Sequence, residues 1–417
     1  MRLRITLFAL VICSFSLMAK EYHVSTKGND NNKGTIEKPF KTIEKARDAI
    51  RMLNTEERKQ NIDIILHGGT YTLNKTIVFS LEDSAPDNFR YTYRAATDEE
   101  VILSSGLVIE NWEKVVKYPD SFPEVAKGNV WIADMPEGLD NFKVLFDGTK
   151  RLKRARSEGF NGKNPFNVPR FASRNVRNRE DRKYLKMFPF PDGEIKDWSN
   201  KDDVEIFFCP VPWVVNYSPI EKVDLENNIA YLKYEANSQP FVTPKEYNLA
   251  YVENVIDFLD EPGEWVLNTD ERKIYYWPVK GEPGNEITAP ALMEYIKVEG
   301  KINYDEAEDI PVKNLEFKGI TFMHGDRYSW WEGHKGWGIQ HDWDKFDNPN
   351  AMLRFRGAEN CVVEECRFTA SGNSAIRLDL YAQNIRVENN LIDYVGHMGI
   401  LLAGYGPGTK DVNKKNI

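Results

Sequence analysis

The chain has 417 residues, with 55 Lys or Arg and 64 Asp or Glu, so its formal net charge is −9. The hydrophobic fraction of 41% is usual for a soluble globular protein and allows one large core or several smaller ones. The acidic balance argues against nucleic acid as the main partner, because a polyanion is bound by a strongly basic surface.

The N-terminus has the pattern of a signal peptide. Arg2 and Arg4 precede the apolar segment 7–12, and residues 17–19 end in a small residue suited to cleavage. The apolar segment is too short to cross a bilayer comfortably, and no other segment is longer, so no membrane span is predicted. Residues 1–19 are therefore expected to be removed, which predicts a periplasmic or secreted protein.

Residues 20–104 are predicted to form a cap and the first strands of the fold. Segment 39–53 carries apolar residues at helical spacing, which predicts a short amphipathic helix. Short strands are predicted at 22–25, 62–66 and 76–79, separated by turn-rich sequence. Short strands behind one capping helix are typical of the first turn of a solenoid.

Residues 105–290 have a different pattern, in which aromatic residues alternate with hairpin signals. Segments 223–225 and 229–232 flank two asparagines, and segments 265–267 and 274–277 flank a polar turn. Such pairs of short strands around a tight turn are typical of β-hairpins. This part of the chain is predicted to be an inserted antiparallel β-rich domain.

Residues 291–417 contain a repeat. Segments 314–322, 360–368 and 384–392 each begin with Asn and have apolar residues at their second, fourth and last positions. The last two are 24 residues apart, and apolar spacing of two inside each segment indicates strands. The sequence thus predicts an all-β right-handed parallel β-helix (solenoid), with the N-terminal capping helix and the insertion. Because the chain ends on residues 416–417, which resemble the start of another repeat, we expect an incomplete set of coils.

The cysteines do not suggest a disulfide framework. One of the four lies in the signal peptide, which leaves Cys209, Cys361 and Cys366 in the mature chain. This odd number and spacing predict neither disulfides nor a zinc site, so no metal is expected. A lipid anchor on Cys13 is disfavoured, because Ile12 before it is bulkier than lipoprotein processing usually accepts.

Several stretches resemble known bacterial β-helix proteins of polysaccharide degradation. They are residues 22–25, 28–30, 39–47, 68–71, 146–148, 154–156, 259–265 and 274–278. The group that they resemble most is glycoside hydrolase family 141, which contains an α-L-fucosidase and a xylanase. The resemblance implies a glycosidase that acts on a plant or algal polysaccharide, with a fucose- or xylose-containing glycan as the first expectation. It assigns no catalytic residue in this chain.

Alternation along the repeat strands points to one group of candidate catalytic residues. In segments 352–355, 376–379 and 400–403 the first and third residues are predicted to face inward. Arg377 and Asp379 would then face outward, among Leu353, Phe355, Leu401 and Ala403. A carboxylate beside an arginine in apolar surroundings is a candidate for catalysis, and the alternative is a salt bridge.

Two loops that interrupt the repeat supply the other candidates. Segment 324–347 contains four of the ten tryptophans and three of the six histidines, and such loops often carry function. The alternative is that its tryptophans pack against the insertion. A second, glycine-rich loop covers 403–415. The predicted substrate-binding residues are Arg377, His324, Trp330, Trp331, Glu332, His334, Tyr405 and Lys410, and the predicted catalytic residues are Asp379, Asp342 and His397.

Three functions are compatible with these features. A glycoside hydrolase needs two carboxyl groups, for which Asp379 and Asp342 are the candidates. A polysaccharide lyase acting on a uronate-containing polymer would instead use Arg377, Lys410 and His397, with calcium as a further neutralising charge. The third possibility is a carbohydrate-binding protein without catalysis, or an inactive fragment. In each case the partner is a polysaccharide, the protein is expected to be a monomer, and the hydrolase needs no cofactor.

Overall fold

The computed structural model describes residues 19–119, 121–163, 165–166, 179–198, 200–211, 214–236, 238–240, 250–303, 308–327, 347 and 349–404. The predicted signal peptide lies outside these residues, apart from Ala19. The described part is mostly β-structure, as predicted. It contains two α-helices, α1 (Ile43–Arg51) and α2 (Arg179–Arg182), and 3-10 turns at Leu81–Asp83, Glu124–Ala126, Lys183–Lys186, Lys201–Asp203 and Ile256–Phe258. None of these helices has the length and apolar composition that a membrane crossing requires.

Three parallel sheets form the body of the structure, with strands numbered in chain order. The first sheet contains β1 (Lys20–Val24), β2 (Ile62–Leu66), β5 (Tyr91–Ala95), β23 (Leu315–Lys318), β26 (Val362–Glu364) and β29 (Arg386–Glu388). The second contains β3 (Gly69–Thr72), β6 (Val101–Ser104), β24 (Ile320–Gly325), β27 (Arg367–Ser371) and β30 (Leu391–Ile392). The third contains β4 (Ile77–Phe79), β21 (Ile296–Glu299), β25 (Ala351–Glu359), β28 (Ser374–Gln383) and β31 (Ile400–Ala403), and β22 (Val312–Lys313) also pairs with β25.

The chain visits these three sheets repeatedly in the same order. We call one passage through the first, second and third sheets a circuit. The circuits run β2-β3-β4, β5-β6-β21, β23-β24-β25, β26-β27-β28 and β29-β30-β31. The second circuit is interrupted between β6 and β21, and it is here that the other sheets are inserted.

The repeat seen in the sequence sets the pairing between circuits. Strand pairing places Phe317 beside Val363 and Val363 beside Val387, as the alignment of the three segments predicts. The asparagine that opens each segment has a positive φ, between 53° and 61° at positions 314, 360 and 384. Asn adopts this left-handed conformation more readily than most residues, which explains its recurrence at the start of each strand.

The core lies between the three parallel sheets and includes both repeat cysteines. Cys361 and Cys366 are buried among aliphatic and aromatic side chains, where they act as small hydrophobic residues. Asn390 also faces this core. Its side chain accepts a hydrogen bond from the backbone N–H of Cys366 at 2.8 Å and donates to the carbonyl of Val363 at 2.9 Å, so this partly buried amide is satisfied.

Helix α1 closes against the same core near the start of the chain. Its N-cap is Thr42, whose side chain accepts a hydrogen bond from Lys45 N at 3.2 Å. The helix buries Ile43, Ala46 and Ile50, which are apolar residues at the spacing used to predict it. The predicted helix is therefore confirmed, and it is shorter than the segment 39–53.

The interruption of the second circuit contains three further sheets, mostly antiparallel. One sheet has β7 (Gly106–Val108), β10 (Phe146–Asp147), β11 (Lys150–Arg151) and β20 (Ile287–Pro290). Another has β8 (Glu113–Lys114), β9 (Trp131–Asp134), β12 (Lys153–Arg154), β18 (Glu264–Asn268) and β19 (Lys273–Tyr276). The third has β13 (Met187–Pro189), β14 (Glu205–Val211), β15 (Val214–Asp224), β16 (Ile229–Leu232) and β17 (Tyr251–Glu253). Strands β15 and β16, and likewise β18 and β19, are antiparallel neighbours, which confirms the two predicted hairpins.

The predicted register of the third parallel sheet was wrong by one residue in β25. Leu353 pairs with Ile376 and Phe355 with Leu378, so Leu353 and Phe355 belong to the core. Arg354 therefore faces outward beside Arg377, where an inward position had been expected. The alternation was misread because Met352 and Leu353 are adjacent apolar residues, and both are buried.

Candidate functional site

The insertion meets the parallel sheets at a corner made of glycines. Gly325 ends β24, and Gly372 and Gly396 follow β27 and β30 in the next two circuits; we call these three residues the glycine corner. The N–H of Gly372 donates to the carbonyl of Gly325 at 2.9 Å. A Cβ atom on Gly372 would lie 2.8 Å from the backbone N of Arg327, and one on Gly396 would lie 2.7 Å from Nη1 of Arg151. Only glycine lets these arginines approach so closely.

A buried group of charges ties the insertion to this corner. Nη1 of Arg154, in β12, lies 2.6 Å from Glu205 in β14 and 2.8 Å from Glu253 in β17. Arg327, just after β24, also donates to Glu205 and lies 3.6 Å from Glu253. Nζ of Lys143 is 3.8 Å from Glu205. Three cations thus surround two carboxylates, and the two parts of the chain share them.

The environment shifts the pKa values of several of these groups. Burial alone would raise the pKa of Glu205, but the charges of Arg327, Lys143 and Arg154 hold it well below its usual range. Burial lowers the pKa of Lys143. Burial raises the pKa of Asp326 to about 6, although its carboxylate accepts hydrogen bonds from the N–H groups of Lys143 and Arg327 at 2.9 and 2.7 Å.

A cavity of about 280 Å³ opens beside this charge group, and we call it the basic pocket. Among the described residues, its lining contains six basic residues and one acid. The hydroxyls of its two tyrosines, Tyr217 and Tyr251, are 2.8 Å apart. The guanidinium of Arg327 lies 4.4 Å from the ring centre of Tyr217, and that of Arg156 lies 4.7 Å from the ring centre of Tyr251. The lining residues are Lys143, Val144, Arg151, Leu152, Lys153, Arg154, Arg156, Tyr217, Tyr251, Glu253 and Arg327.

A second, wider cavity of about 730 Å³ shares the lining residue Arg151 with the basic pocket. Its other lining residues are Thr149, Lys150, Tyr394 and Val395. Tyr394 is 75% exposed. An exposed aromatic ring beside a cavity rich in cations offers both a flat apolar face and polar contacts. The two cavities together are the candidate functional site, and we call them the junction site.

The predicted catalytic residue Asp379 lies elsewhere, on the outward face of the third parallel sheet. It is fully buried, as is Arg377. One oxygen of Asp379 accepts hydrogen bonds from Arg354 Nε and Nη2 at 2.8 and 2.6 Å, and from Arg377 Nε at 2.8 Å. Arg356 lies 3.5 Å from the other oxygen. The expected apolar neighbours Leu353 and Phe355 are thus replaced by arginines, because of the corrected register.

Among the described residues, this aspartate–arginine cluster is balanced in charge. Its four cations are Arg354, Arg356, Arg377 and Lys297, and its four anions are Asp379, Asp347, Glu294 and Glu299. Burial would raise the pKa of Asp347, but the charges of Arg354, Arg356 and Lys297 lower it to about 2. A paired and largely buried set of charges has the properties of a structural element. The catalytic role of Asp379 and the substrate contact of Arg377 stay predictions.

The two described histidines among the candidates have different surroundings. His324 lies within β24 and so not in a loop, contrary to expectation. Its Nε2 donates to the carbonyl of Gly148 at 2.9 Å, so Nδ1 accepts from the hydroxyl of Ser104 at 3.0 Å, and burial lowers its pKa. His397 is half-buried next to the glycine corner, with Nδ1 2.8 Å from Oγ of Ser374. Of the two, His397 is the better placed for contact with a ligand.

The remaining candidates cannot be placed. Trp330, Trp331, Glu332, His334, Asp342, Tyr405 and Lys410 all lie outside the described residues. Among the residues that are described, no group of three or more His, Cys, Asp or Glu side chains has a metal-binding arrangement.

The junction site coincides with a recognisable domain. Residues 128–279 match the family model of the GH141 insertion domain. Every residue that lines the basic pocket, except Arg327, lies within this segment. The matched segment therefore supplies most of the pocket, and Arg327, just after β24, completes it.

Three solved structures are similar to the chain to different extents. One described as a glycoside hydrolase matches with a TM-score of 0.62 at 25% identity, covering 86% of this chain. The chain spans 63% of the length of that structure. A complex of XylC with xylose has a TM-score of 0.40 (17% identity; 92% of this chain and 51% of that one). A GH136 lacto-N-biosidase from Eubacterium ramulus has a TM-score of 0.26, with 10% identity over 92% of this chain and 43% of that one. No curated protein matches the chain significantly.

Sequence reasoning missed the basic pocket, although one local signal was available. Five of the seven residues in segment 150–156 are basic, in a chain that is acidic as a whole. The motif 259–265 has a supporting role in the GH141 insertion domain. Glu264 accepts hydrogen bonds from the N–H groups of Asp260 and Glu261 and pairs with Lys153 at 2.9 Å. Trp265 lies under Arg154, with the guanidinium 5.7 Å from its ring centre.

Proposed function

We propose that this chain is a glycoside hydrolase that acts on a plant or algal polysaccharide. The observation that carries the proposal is the GH141 insertion domain at residues 128–279, set within a fold that matches a glycoside hydrolase structure over 86% of the chain. A fucose- or xylose-containing glycan is the first substrate to test, because the sequence resembles a family with both activities.

The scaffold that we propose is a right-handed parallel β-helix. Five circuits through three parallel sheets, with residues of successive circuits in register, support this architecture. A stack of parallel strands presents a long surface along which a polymer can bind, and the insertion adds a wall to it at the glycine corner.

We further propose that the protein works outside the cytoplasm as a monomer, after removal of residues 1–19. The charged start and short apolar segment support export. N-terminal sequencing of the protein recovered from the periplasm or medium should start at Lys20. A full-length N-terminus there would contradict this proposal.

Hydrolysis needs an acid and a base or nucleophile. Asp379 and Asp342, with His397, stay the predicted catalytic groups. The basic pocket also favours a second candidate, a polysaccharide lyase, because cations that neutralise a uronate carboxylate make the neighbouring proton easier to remove. Such a lyase would be sensitive to removal of calcium.

The deciding experiment is mass spectrometry of the products formed when residues 20–417 are incubated with plant and algal polysaccharides. Fragments that have gained water support the hydrolase and identify the sugar. Unsaturated fragments whose formation is prevented by EDTA would contradict the hydrolase and support the lyase. If no polysaccharide is cleaved, a carbohydrate-binding protein becomes the better description of this chain.

A further inference from the structure

We propose that the basic pocket binds the anionic group of a sugar residue, either a carboxylate or a sulfate ester, in the polysaccharide. The proposal rests on the proposed function, and it adds a charge preference that neither the GH141 insertion domain nor the similar structures specify.

The charges of the pocket leave an excess of cations. The inner group of Lys143, Arg154 and Arg327 surrounds two carboxylates, those of Glu205 and Glu253. Asp326, whose carboxylate accepts hydrogen bonds from the N–H groups of Lys143 and Arg327, adds a third negative charge once it is ionised above its raised pKa of about 6. At neutral pH the inner group is therefore close to balanced, and the excess of positive charge lies in the outer cations.

The outer cations carry this excess. Lys153 is paired with Glu261 and Glu264 at 3.0 and 2.9 Å. Within the part of the chain that the structure describes, Arg151 and Arg156 form no ion pair with a carboxylate, although both line the pocket. An anion entering the pocket would meet two guanidinium groups that are not already paired with a carboxylate of the described residues.

The geometry suits a planar or tetrahedral oxyanion. A guanidinium presents several donors in a fixed fork, which matches the oxygens of carboxylate and sulfate groups. Arg156 lies over Tyr251 and Arg327 over Tyr217. The tyrosine hydroxyls are hydrogen-bonded to each other. Because the rings restrict the guanidinium planes, less conformational entropy is lost when a ligand binds.

The size of the site limits the ligand to one sugar residue at the cations. A volume of about 280 Å³ is at the lower end of ligand pockets, which span roughly 300–1,000 Å³. The wider cavity beyond Arg151 continues past the exposed ring of Tyr394. The structure thus fits an anionic residue in the basic pocket with the next residue of the polymer against Tyr394.

Isothermal titration calorimetry with three defined probes tests the proposal: trigalacturonate, a sulfated fucose trisaccharide and neutral xylotriose. We expect one of the anionic probes to bind at least about tenfold more tightly than xylotriose, with an affinity that falls as salt rises. The anionic probe that binds more tightly identifies the group as carboxylate or sulfate. Equal affinity for all three, or no binding of any, would overturn the proposal.

The variants Arg151→Ala and Arg156→Ala identify the pocket as the binding site. Both side chains are exposed, so the variants should fold, and each should weaken binding of the anionic probe about tenfold. Lys114→Ala is the matched control, because this exposed cation lies over Trp131 and does not line the pocket. Unchanged affinity in both arginine variants would contradict the assignment.

The binding measurement does not depend on cleavage, so the two proposals can fail separately. Binding of an anionic probe without cleavage of any polysaccharide supports the pocket and counts against the hydrolase. Hydrolysis of neutral glycans that is unaffected by Arg151→Ala and Arg156→Ala supports the hydrolase and overturns the pocket.

Discussion

Arg354 holds Asp379 across two adjacent parallel strands, with its Nε and Nη2 atoms 2.8 and 2.6 Å from the same carboxylate oxygen. Both side chains are buried, and Arg377 donates to that oxygen too. Since neighbouring strands of the third sheet run parallel in register, their like charges at 354 and 377 would repel without this carboxylate. Asp379 therefore neutralises a row of arginines in the stack.

The first prediction concerns the variant Asp379→Asn. Removing this charge leaves buried arginines without their main partner, so the free energy of unfolding should fall by about 3–5 kcal/mol. Denaturant unfolding measures this loss. Asp393→Asn is the control, because its pair with the partly exposed Arg367 should contribute about 0–1 kcal/mol. An Asp379→Asn variant of unchanged stability that loses all hydrolytic activity would instead assign Asp379 to catalysis.

The second prediction concerns Glu205, the shared partner of Arg154 and Arg327. Glu205→Gln should lower the free energy of unfolding by several kcal/mol, roughly as for other broken buried ion pairs. Because the folded protein holds the pKa of Glu205 below the reference value of 4.5, its stabilising effect is present above that pH and is lost as pH falls further. The difference between wild type and variant should therefore shrink below about pH 4.5.

Glu261→Gln provides the control for this variant. Glu261 is exposed and pairs with Lys153 at the surface, so its removal should change stability by less than about 1 kcal/mol at any pH. Equal losses in Glu205→Gln and Glu261→Gln would show that the buried charge group does not hold the insertion in place.

The third prediction uses the raised pKa of Asp326. A carboxyl group with a pKa of 3.8 in the unfolded chain and about 6 in the folded protein destabilises the fold increasingly as pH rises between these values. Asp326→Asn keeps an oxygen that can accept the N–H groups of Lys143 and Arg327. The melting temperature of this variant minus that of wild type is therefore a difference that should increase from pH 4 to pH 7. A constant difference across that range would contradict the shifted pKa.

The fourth prediction tests the aromatic wall of the wider cavity. If a sugar ring stacks on Tyr394, Tyr394→Ala should cost roughly 0.5–1.5 kcal/mol of binding free energy for a bound trisaccharide, or about two- to tenfold in affinity. The affinity for the corresponding anionic monosaccharide, galacturonate or sulfated fucose, should not change, since one sugar residue fills only the basic pocket. Tyr394→Phe keeps the ring and should bind the trisaccharide like wild type. Equal losses of affinity for the monosaccharide and the trisaccharide in Tyr394→Ala would contradict stacking of the second sugar ring on Tyr394.

The repeat could be predicted from the sequence because its causes are local. The first residue of each segment has a positive φ, which favours Asn. Every second residue faces the core and is therefore apolar, and Cys361 and Cys366 are small examples. The error in β25 has a local cause too. Met352 and Leu353 are both buried, so alternation alone does not say which of them begins the inward series.

The junction site could not be predicted in the same way. Arg154, Glu205, Glu253 and Arg327 come from three strands of the insertion and one end of a parallel strand, and only the folded chain brings them together. The basic run 150–156 was visible in the sequence, but its acidic partners lie some 50 to 110 residues away. Charge partners so far apart leave no periodic pattern.

The glycine corner has a consequence for anyone who wishes to move this insertion to another scaffold. The surface beside Arg151 of the insertion is bare main chain at Gly396, where a Cβ atom would lie 2.7 Å from Nη1 of Arg151 and 2.5 Å from the carbonyl oxygen of Gly372. If residues 105–290 were grafted onto a stack with alanine or a larger residue at this position, the main chain and the Arg151 side chain would both have to shift. The transplantable unit is therefore the insertion together with this glycine, which is encoded far downstream of it.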